Sequence, residues 1–254
     1  VNNVLNPSIL ASSMKISIIV PAYNEEKLLP QTLASIRSAS LGFTTLGWEV
    51  QWIVCDNNSS DRTAELAREH GACVVFEPVN QIARARNAGA AAADGDWLVF
   101  VDADSSPTQR LFESVAQQIE NGRVIGGGST VRLDRHAFGS RFWLGCWNLL
   151  SRLRRWAAGS FIFCEAKAFR EIGGFDQKFY ASEEVDFSNR LKRVGKSRGL
   201  GFVILTEHPL LTSARKLDLY RSSEVIRFLF RALRQPRATV QDPKACYIWY
   251  DGRR

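Results

Sequence analysis

Two carboxylates one residue apart, Asp102 and Asp104, close the apolar run Trp97-Leu98-Val99-Phe100-Val101. Such a run is the pattern of a strand buried on both faces of a sheet. It would deliver the pair to the C-terminal end of the strand, where open α/β sheets bind ligands. Aspartate oxygens suit a hard divalent cation, especially one shared with a phosphate-bearing substrate. The plainer reading is a pair of solvated turn residues. Two more segments share this chemistry: Pro21-Ala22-Tyr23-Asn24-Glu25-Glu26 and Asp56-Asn57-Asn58-Ser59-Ser60-Asp61, each after a strand-like run. Acidic loops do not bind phosphates by themselves, but they can hydrogen-bond a base and ribose and hold a metal that neutralises a diphosphate. Further on, Ser182-Glu183-Glu184-Val185-Asp186 opens a helical pattern. Carboxylates there favour the helix macrodipole.

Something must hold these loops in place. Residues 15–20, 50–55 and 73–76 read as strands. Leu29, Leu33 and Ile36 recur at helical spacing, and the short helix over 63–70 ends at Gly71 as its C′ residue. Residues 82–93 predict a helix with Ala85, Ala88, Gly89 and Ala92 along one stripe, small enough to lie close against a sheet. The alternation up to Asp104 predicts a mostly parallel, three-layer α/β architecture with the acidic loops on one edge. Ser105-Ser106-Pro107 reads as a helix start, with Ser106 as N-cap and Pro107 at the first helical position. Beyond it follow a helix through Leu111, Val115 and Ile119, a glycine-rich strand over 124–131, and an aromatic, arginine-rich helical stretch over 138–156. A strand over 161–164, a short helix closed by Gly173-Gly174, a helix capped by Ser182 and a last core strand over 201–206 complete the order.

The 254 residues fit one domain, 14–254, after a loose extension over 1–13, with a nucleotide-binding half to 104 and an acceptor half beyond. No apolar run approaches the ~20 residues of a membrane span, and no secretion signal is evident. The five cysteines show no CxxC or regular spacing, which argues for reduced thiols in the cytoplasm rather than a disulfide frame or zinc site. The net charge is +7, with arginines concentrated over 132–155 and 215–237. That balance suits nucleic acid, anionic lipid or phosphorylated substrates, or simply a solvated basic face. The basic tail carrying Ile226, Phe230 and Leu233 fits peripheral contact with the inner face of a membrane. No GxxxxGK[ST] sequence is present, and Gly126-Gly127-Gly128 does not match GxGxxG, so P-loop and classical dinucleotide folds are disfavoured.

Taken together, the segments over 19–26, 56–61, 85–89 (Ala-Arg-Asn-Ala-Gly) and 100–104, with Gly173-Gly174-Phe175-Asp176 and residues 182–187, resemble the family 2 glycosyltransferases of GT-A fold. Six weak motifs in register make a specific signal over residues 15–208. The resemblance implies an α/β GT-A fold, a mostly parallel central sheet flanked by helices. It also implies inverting transfer of a sugar from a nucleoside diphosphate donor, UDP or GDP, with Mn²⁺ or Mg²⁺, to a hydroxyl acceptor, lipid-linked if the basic tail lies on a membrane that carries it. By motif, Pro21, Tyr23 and Glu25 line the base and ribose pocket, Asp56 accepts from the base, Arg86 sits near the nucleotide, and Asp102 faces ribose or metal. Asp104 is the principal metal ligand, His208 a candidate second one, and Glu184 the general base. Asn57-Asn58 departs from the common Asp-Gly pair, and Asn58 can take the left-handed backbone of that glycine. Two rivals remain at this stage. A nucleotidyltransferase would need a glycine- and arginine-rich first loop, which is absent. A non-catalytic polyanion-binding module, for nucleic acid or a lipid surface, would leave the ordered acidic loops unexplained; the donor-site reading entails no nucleic-acid partner.

Overall fold

The computed structural model describes residues 14–134, 140–215, 231, 236–246 and 250. The first elements are β1 (Lys15–Ala22), α1 (Leu29–Ala39), α2 (Leu41–Thr44), β2 (Glu49–Asp56), α3 (Thr63–Glu69), β3 (Cys73–Phe76), α4 (Ile82–Ala91) and β4 (Trp97–Val101). They are followed by β5 (Ser105–Ser106), α5 (Gln109–Glu120), β6 (Val124–Leu133), α6 (Ser140–Arg154), β7 (Phe161–Glu165), α7 (Ala166–Glu171), α8 (Glu183–Ser197), β8 (Gly201–Thr212) and α9 (Pro236–Gln241).

The strands form one eight-stranded sheet in the order β3-β2-β1-β4-β7-β6-β8-β5. β3, β2, β1 and β4 run parallel, β7 is antiparallel to both β4 and β6, and β8 is parallel to β6. Because β1, β2 and β4 are parallel neighbours, the three acidic loops leave from the same edge, as the alternation predicted. The central strands are buried on both faces, and alternate residues go to opposite cores. Ile16, Ile18, Val20, Val99 and Val101 pack with α1, α2 and α5, whereas Ile19, Ile53, Leu98 and Phe100 pack with α4, α7 and α8.

The small-residue stripe of α4 has a direct reason. A Cβ on Gly89 would stand 2.5 Å from Ile19 Cγ2, closer than real contacts allow, so the helix can sit this low on β1 only with glycine there.

Two local expectations change. Ser105 and Ser106 are not a helix start; they form β5 against Leu211 and Thr212. The cap of α5 is Thr108, whose Oγ1 accepts the Leu111 N–H at 3.2 Å. Pairing with β8 occupies the serines, and this pairing lies over a hundred residues away in sequence, beyond any local signal. β8 also runs on to Thr212, past the predicted stop near Thr206. It loses register with β6 between Leu205 and Leu210, so the turn-like Glu207-His208-Pro209 is a bulge within the strand. Residues 1–13 and the tail carrying Ile226, Phe230 and Leu233 lie outside the described residues. Gly89→Val should lower stability by about 1–3 kcal/mol through overpacking against Ile19, read as a lower urea midpoint with an unchanged slope.

Candidate active site

The first two acidic loops are zipped to each other. Asn24 takes the left-handed backbone at φ 52° and Asn58 at φ 66°. The Asn24 N–H donates to Ser59 Oγ, and its Oδ1 accepts the Ser60 N–H. The Glu25 N–H donates to Thr63 Oγ1 at 2.8 Å, and the Glu26 N–H to Asp61 Oδ2 at 3.1 Å. Asn57 is buried and braces the next turn: its Nδ2 donates to the carbonyls of Glu77 and Val79, and its Oδ1 accepts the Gln81 N–H. Asn57 therefore has a structural use that its neighbour Asp56 shares in part, since Asp56 Oδ1 accepts the Ser59 N–H at 3.1 Å.

Between these loops and the end of β4 lies a cleft partly open to solvent. Pro21, Tyr23, Glu25, Asp102 and Asp104 all line it, together with Asn57 and Tyr250. Glu25 is buried, and both its oxygens lie 2.8 Å from Arg215 Nη2, a residue 190 positions away that follows β8. Tyr250 donates to the Tyr180 carbonyl at 2.9 Å and meets the Tyr180 ring edge-on. Burial raises its pKa, so the hydroxyl stays a donor. Neither residue carries a motif signal in the sequence.

Arg86 stands behind the cleft wall, almost wholly buried. Its Nη1 donates to Glu183 Oε1 at 2.6 Å, and its Nη2 to Asp102 Oδ1 at 3.1 Å and the Gly159 carbonyl at 2.7 Å. Its guanidinium also lies 5.2 Å from the Phe175 ring centroid. Burial works against its charge, but Asp102, Glu183 and Glu184 outweigh it and hold the guanidinium above its ordinary range. One cation thus joins β4, α8 and the turn before β7.

Glu184 is the next residue along α8. A Cβ on Gly159 would stand 3.2 Å from Arg86 Nη2 and 3.7 Å from Glu184 Cδ, so the carboxyl lies beside that glycine and this network. Burial first, and then the Glu183 charge, push its pKa up to about 8. Ser182 starts the helix, as the sequence implied, but with a left-handed backbone at φ 61° and no side-chain cap bond. The backbone bend rather than the hydroxyl sets the start of α8.

At the far end of the cleft, the Ser213 N–H donates to the Asp104 carbonyl at 3.0 Å, and Thr212 Oγ1 approaches Asp104 Oδ1 at 3.4 Å. His208 sits four residues earlier, in the bulge of β8. Among the described residues it does not converge with Asp102 and Asp104 on a metal-sized site. Two carboxylates with an oxygen-only donor set still fit Mg²⁺ or Mn²⁺, which are commonly held by one or two carboxylates plus substrate phosphates.

Comparison with known proteins agrees with this geometry. A family model described as "Glycosyl transferase family 2" matches residues 17–171, more than half of the chain. This chain belongs to glycosyl transferase family 2. It is 35% identical over 113 residues to an uncharacterized glycosyltransferase of Mycobacterium bovis, covering 44% of this chain and 47% of that one. It is 33% identical over 124 residues to a dolichol-phosphate mannosyltransferase of Pyrococcus furiosus, covering 46% and 33%. The chain thus spans about half, or less, of the length of these relatives. Among solved structures, it resembles the mannosyltransferase PcManGT of Pyrobaculum calidifontis in complex with GDP-Man and Mn²⁺, with TM-score 0.63, 17% identity and 94% and 70% coverage. It also resembles S. aureus TarS 1–349 in complex with UDP-GlcNAc, with TM-score 0.63, 18% identity and 92% and 69% coverage. These likenesses establish the GT-A fold for this family 2 chain.

Removing the buried guanidinium leaves Glu183 without its counter-charge. Arg86→Met should cost about 3–5 kcal/mol in urea unfolding, and an Arg86→Met/Glu183→Leu pair should recover much of the loss.

Proposed function

We propose that this protein transfers a sugar from a nucleoside diphosphate sugar to an acceptor hydroxyl, with inversion. The observation that carries the reading is Arg86: a single buried cation ties the Asp102 end of the donor cleft to the helix start that bears Glu184. The cleft receives the nucleotide, with Pro21, Tyr23 and Glu25 along the base and ribose and Asp56 bracing that wall. Residues 14–104 form the donor half of the domain and residues 105–254 the acceptor half. TarS with UDP-GlcNAc and PcManGT with GDP-Man support a UDP or GDP donor. The dolichol-phosphate mannosyltransferase relative supports a lipid-linked acceptor.

In the chemical step, Glu184 takes the acceptor hydroxyl proton. The acceptor oxygen bonds to the anomeric carbon from the face opposite the diphosphate, and the bond from that carbon to the diphosphate oxygen breaks, with its electron pair leaving on the diphosphate. Attack from the opposite face inverts the anomeric centre. Asp104, with Asp102 beside it, would hold Mn²⁺ or Mg²⁺, which supplies charge neutralisation at the departing diphosphate when bound. Arg86 holds Glu183 and Asp102 in place by direct bonds, and Glu184 follows Glu183 in the first turn of α8.

A base must be ionised, and a carboxyl raised to about 8 ionises only as pH climbs through that region. The value of kcat/KM should therefore rise between neutral pH and about 8, then level off. Glu184→Gln should lower kcat by about a hundred- to ten-thousand-fold and remove that limb, with donor affinity little changed. Turnover that stays at the parental level would exclude Glu184 as the base. Thermal shifts across UDP-, GDP-, dTDP- and CDP-sugars with Mn²⁺ identify the donor, since a ligand bound to the native state raises its melting temperature. Asp104→Asn should abolish the Mn²⁺-dependent part of that shift.

A further inference from the structure

The C-terminal half of α6 carries an outward apolar stripe that, among the described residues, no element covers. Leu149, Leu150 and Leu153 are 56%, 38% and 72% exposed. Single exposed leucines are ordinary, whereas three on one face of one helix mark a contact surface. At about 100° per residue, the three leucines fall within one arc pointing away from the body of the protein. Asn148 and Ser151 fall on the opposite side, and both are engaged inward. Asn148 Oδ1 accepts the Val131 N–H, its Nδ2 donates to the Val131 carbonyl, and Ser151 is buried. Arg152 and Arg154 fall on the two flanks of the stripe, and both are exposed.

Charge selects among the occupants. Residues 140–155 contain no aspartate or glutamate and four arginines. A second copy of this chain would place arginines against arginines across a two-fold contact. An apolar stripe flanked by arginines instead matches the interface of an anionic bilayer, where leucines enter the acyl boundary and guanidinium groups meet phosphate headgroups. Arg152 and Arg155 also line a shallow groove with Val124, Phe202 and Ile204, beside the outer edge of β8, which adds basic and apolar surface on the same side.

The stripe is rigidly joined to the helix of Glu184. Lys192 Nζ donates to the Arg154 carbonyl at 2.8 Å, Trp156 Nε1 to Asn189 Oδ1 at 3.0 Å, and the Ala157 N–H to Ser188 Oγ at 3.2 Å. Two residues further, the Gly159 carbonyl accepts from Arg86.

We infer that the Leu149–Leu150–Leu153 face of α6, with Arg152 and Arg154, is a docking surface for an anionic membrane. Seated there, α6 sets the height and tilt of α8 above the lipid, and with it the approach of a lipid-borne hydroxyl to Glu184. The membrane contact itself is independent of the proposed activity; only the purpose of the contact rests on that reading.

Flotation of the full chain with vesicles tests this, using phosphatidylcholine alone and phosphatidylcholine mixed with phosphatidylglycerol. The chain should float with the anionic vesicles, weakly with the neutral ones, and less as salt is raised. Leu149→Ser/Leu153→Ser and Arg152→Glu/Arg154→Glu should each reduce partitioning by about tenfold or more, with melting temperature and donor hydrolysis in solution unchanged. Arg227→Glu/Arg234→Glu, in the basic tail, should leave most of the binding intact. The inference is overturned by a parent chain that does not float, by binding lost only in the tail variant, or by a parent dimer that Leu153→Ser converts to monomer without any vesicle binding. Donor hydrolysis measured in the same samples separates each of these failures from failure of the glycosyltransferase reading.

Discussion

The arrangement of this molecule depends on one buried positive charge. Arg86 reaches Asp102 just after β4, Glu183 on α8 and the carbonyl of Gly159 before β7, and these come from segments separated by as many as 97 residues. A guanidinium without counter-charges would be costly in such a place; with two carboxylates and a carbonyl it becomes a fixed corner. The fork geometry of arginine matters here, because a lysine ammonium could not address three acceptors in one plane. Glycine at 159 is the matching constraint, since a side chain there would press on the Arg86 guanidinium at 3.2 Å. The consequence is electrostatic as well as mechanical. Burial and the adjacent Glu183 charge hold the Glu184 proton more firmly than usual, and the Arg86 charge offsets part of that effect.

The sheet explains why the acidic loops meet. Parallel neighbours β2, β1 and β4 end at the same level, so side chains far apart in the chain become walls of one cleft. The loops add their own stiffness through reciprocal bonds between residues 24–26 and 59–63. The second half of the sheet reverses direction at β7 and brings Thr212 and Ser213 back to Asp104. A site of this kind is assembled by topology first and by side-chain choice second.

Much of that topology could be read in the chain. The apolar run of β4, the small stripe of α4 and the left-handed backbone of Asn58 each have a local cause, and the structure has all three. Pro21, Tyr23, Glu25, Asp102 and Asp104 also share a cleft, as their motifs implied. The missed features have non-local causes. Arg86 could be assigned to the site region but not to Glu183, because no periodicity reports a partner 97 residues away. The same holds for Arg215 with Glu25, and for the pairing that turns Ser105 and Ser106 into β5. Pro209 disguised the length of β8: a turn-like triplet reads as an end, whereas a bulge lets the strand resume. His208 drew attention as a late histidine after a strand, yet the bond near Asp104 is made by Thr212.

Tyr250 has a bearing on how the protein comes into being. The loop before α8 pairs its Tyr180 and Ala181 N–H groups with the Val240 carbonyl, and Tyr250 closes one side of the cleft from the same late segment. A nascent chain emerges from its N-terminus, and domains fold as their residues become available. The sheet and the Arg86 corner can therefore form while the last part of the chain is still inside the ribosome, but the cleft wall cannot. Completion of the pocket is deferred until translation has passed residue 250, so an interrupted chain would carry the fold without the finished pocket.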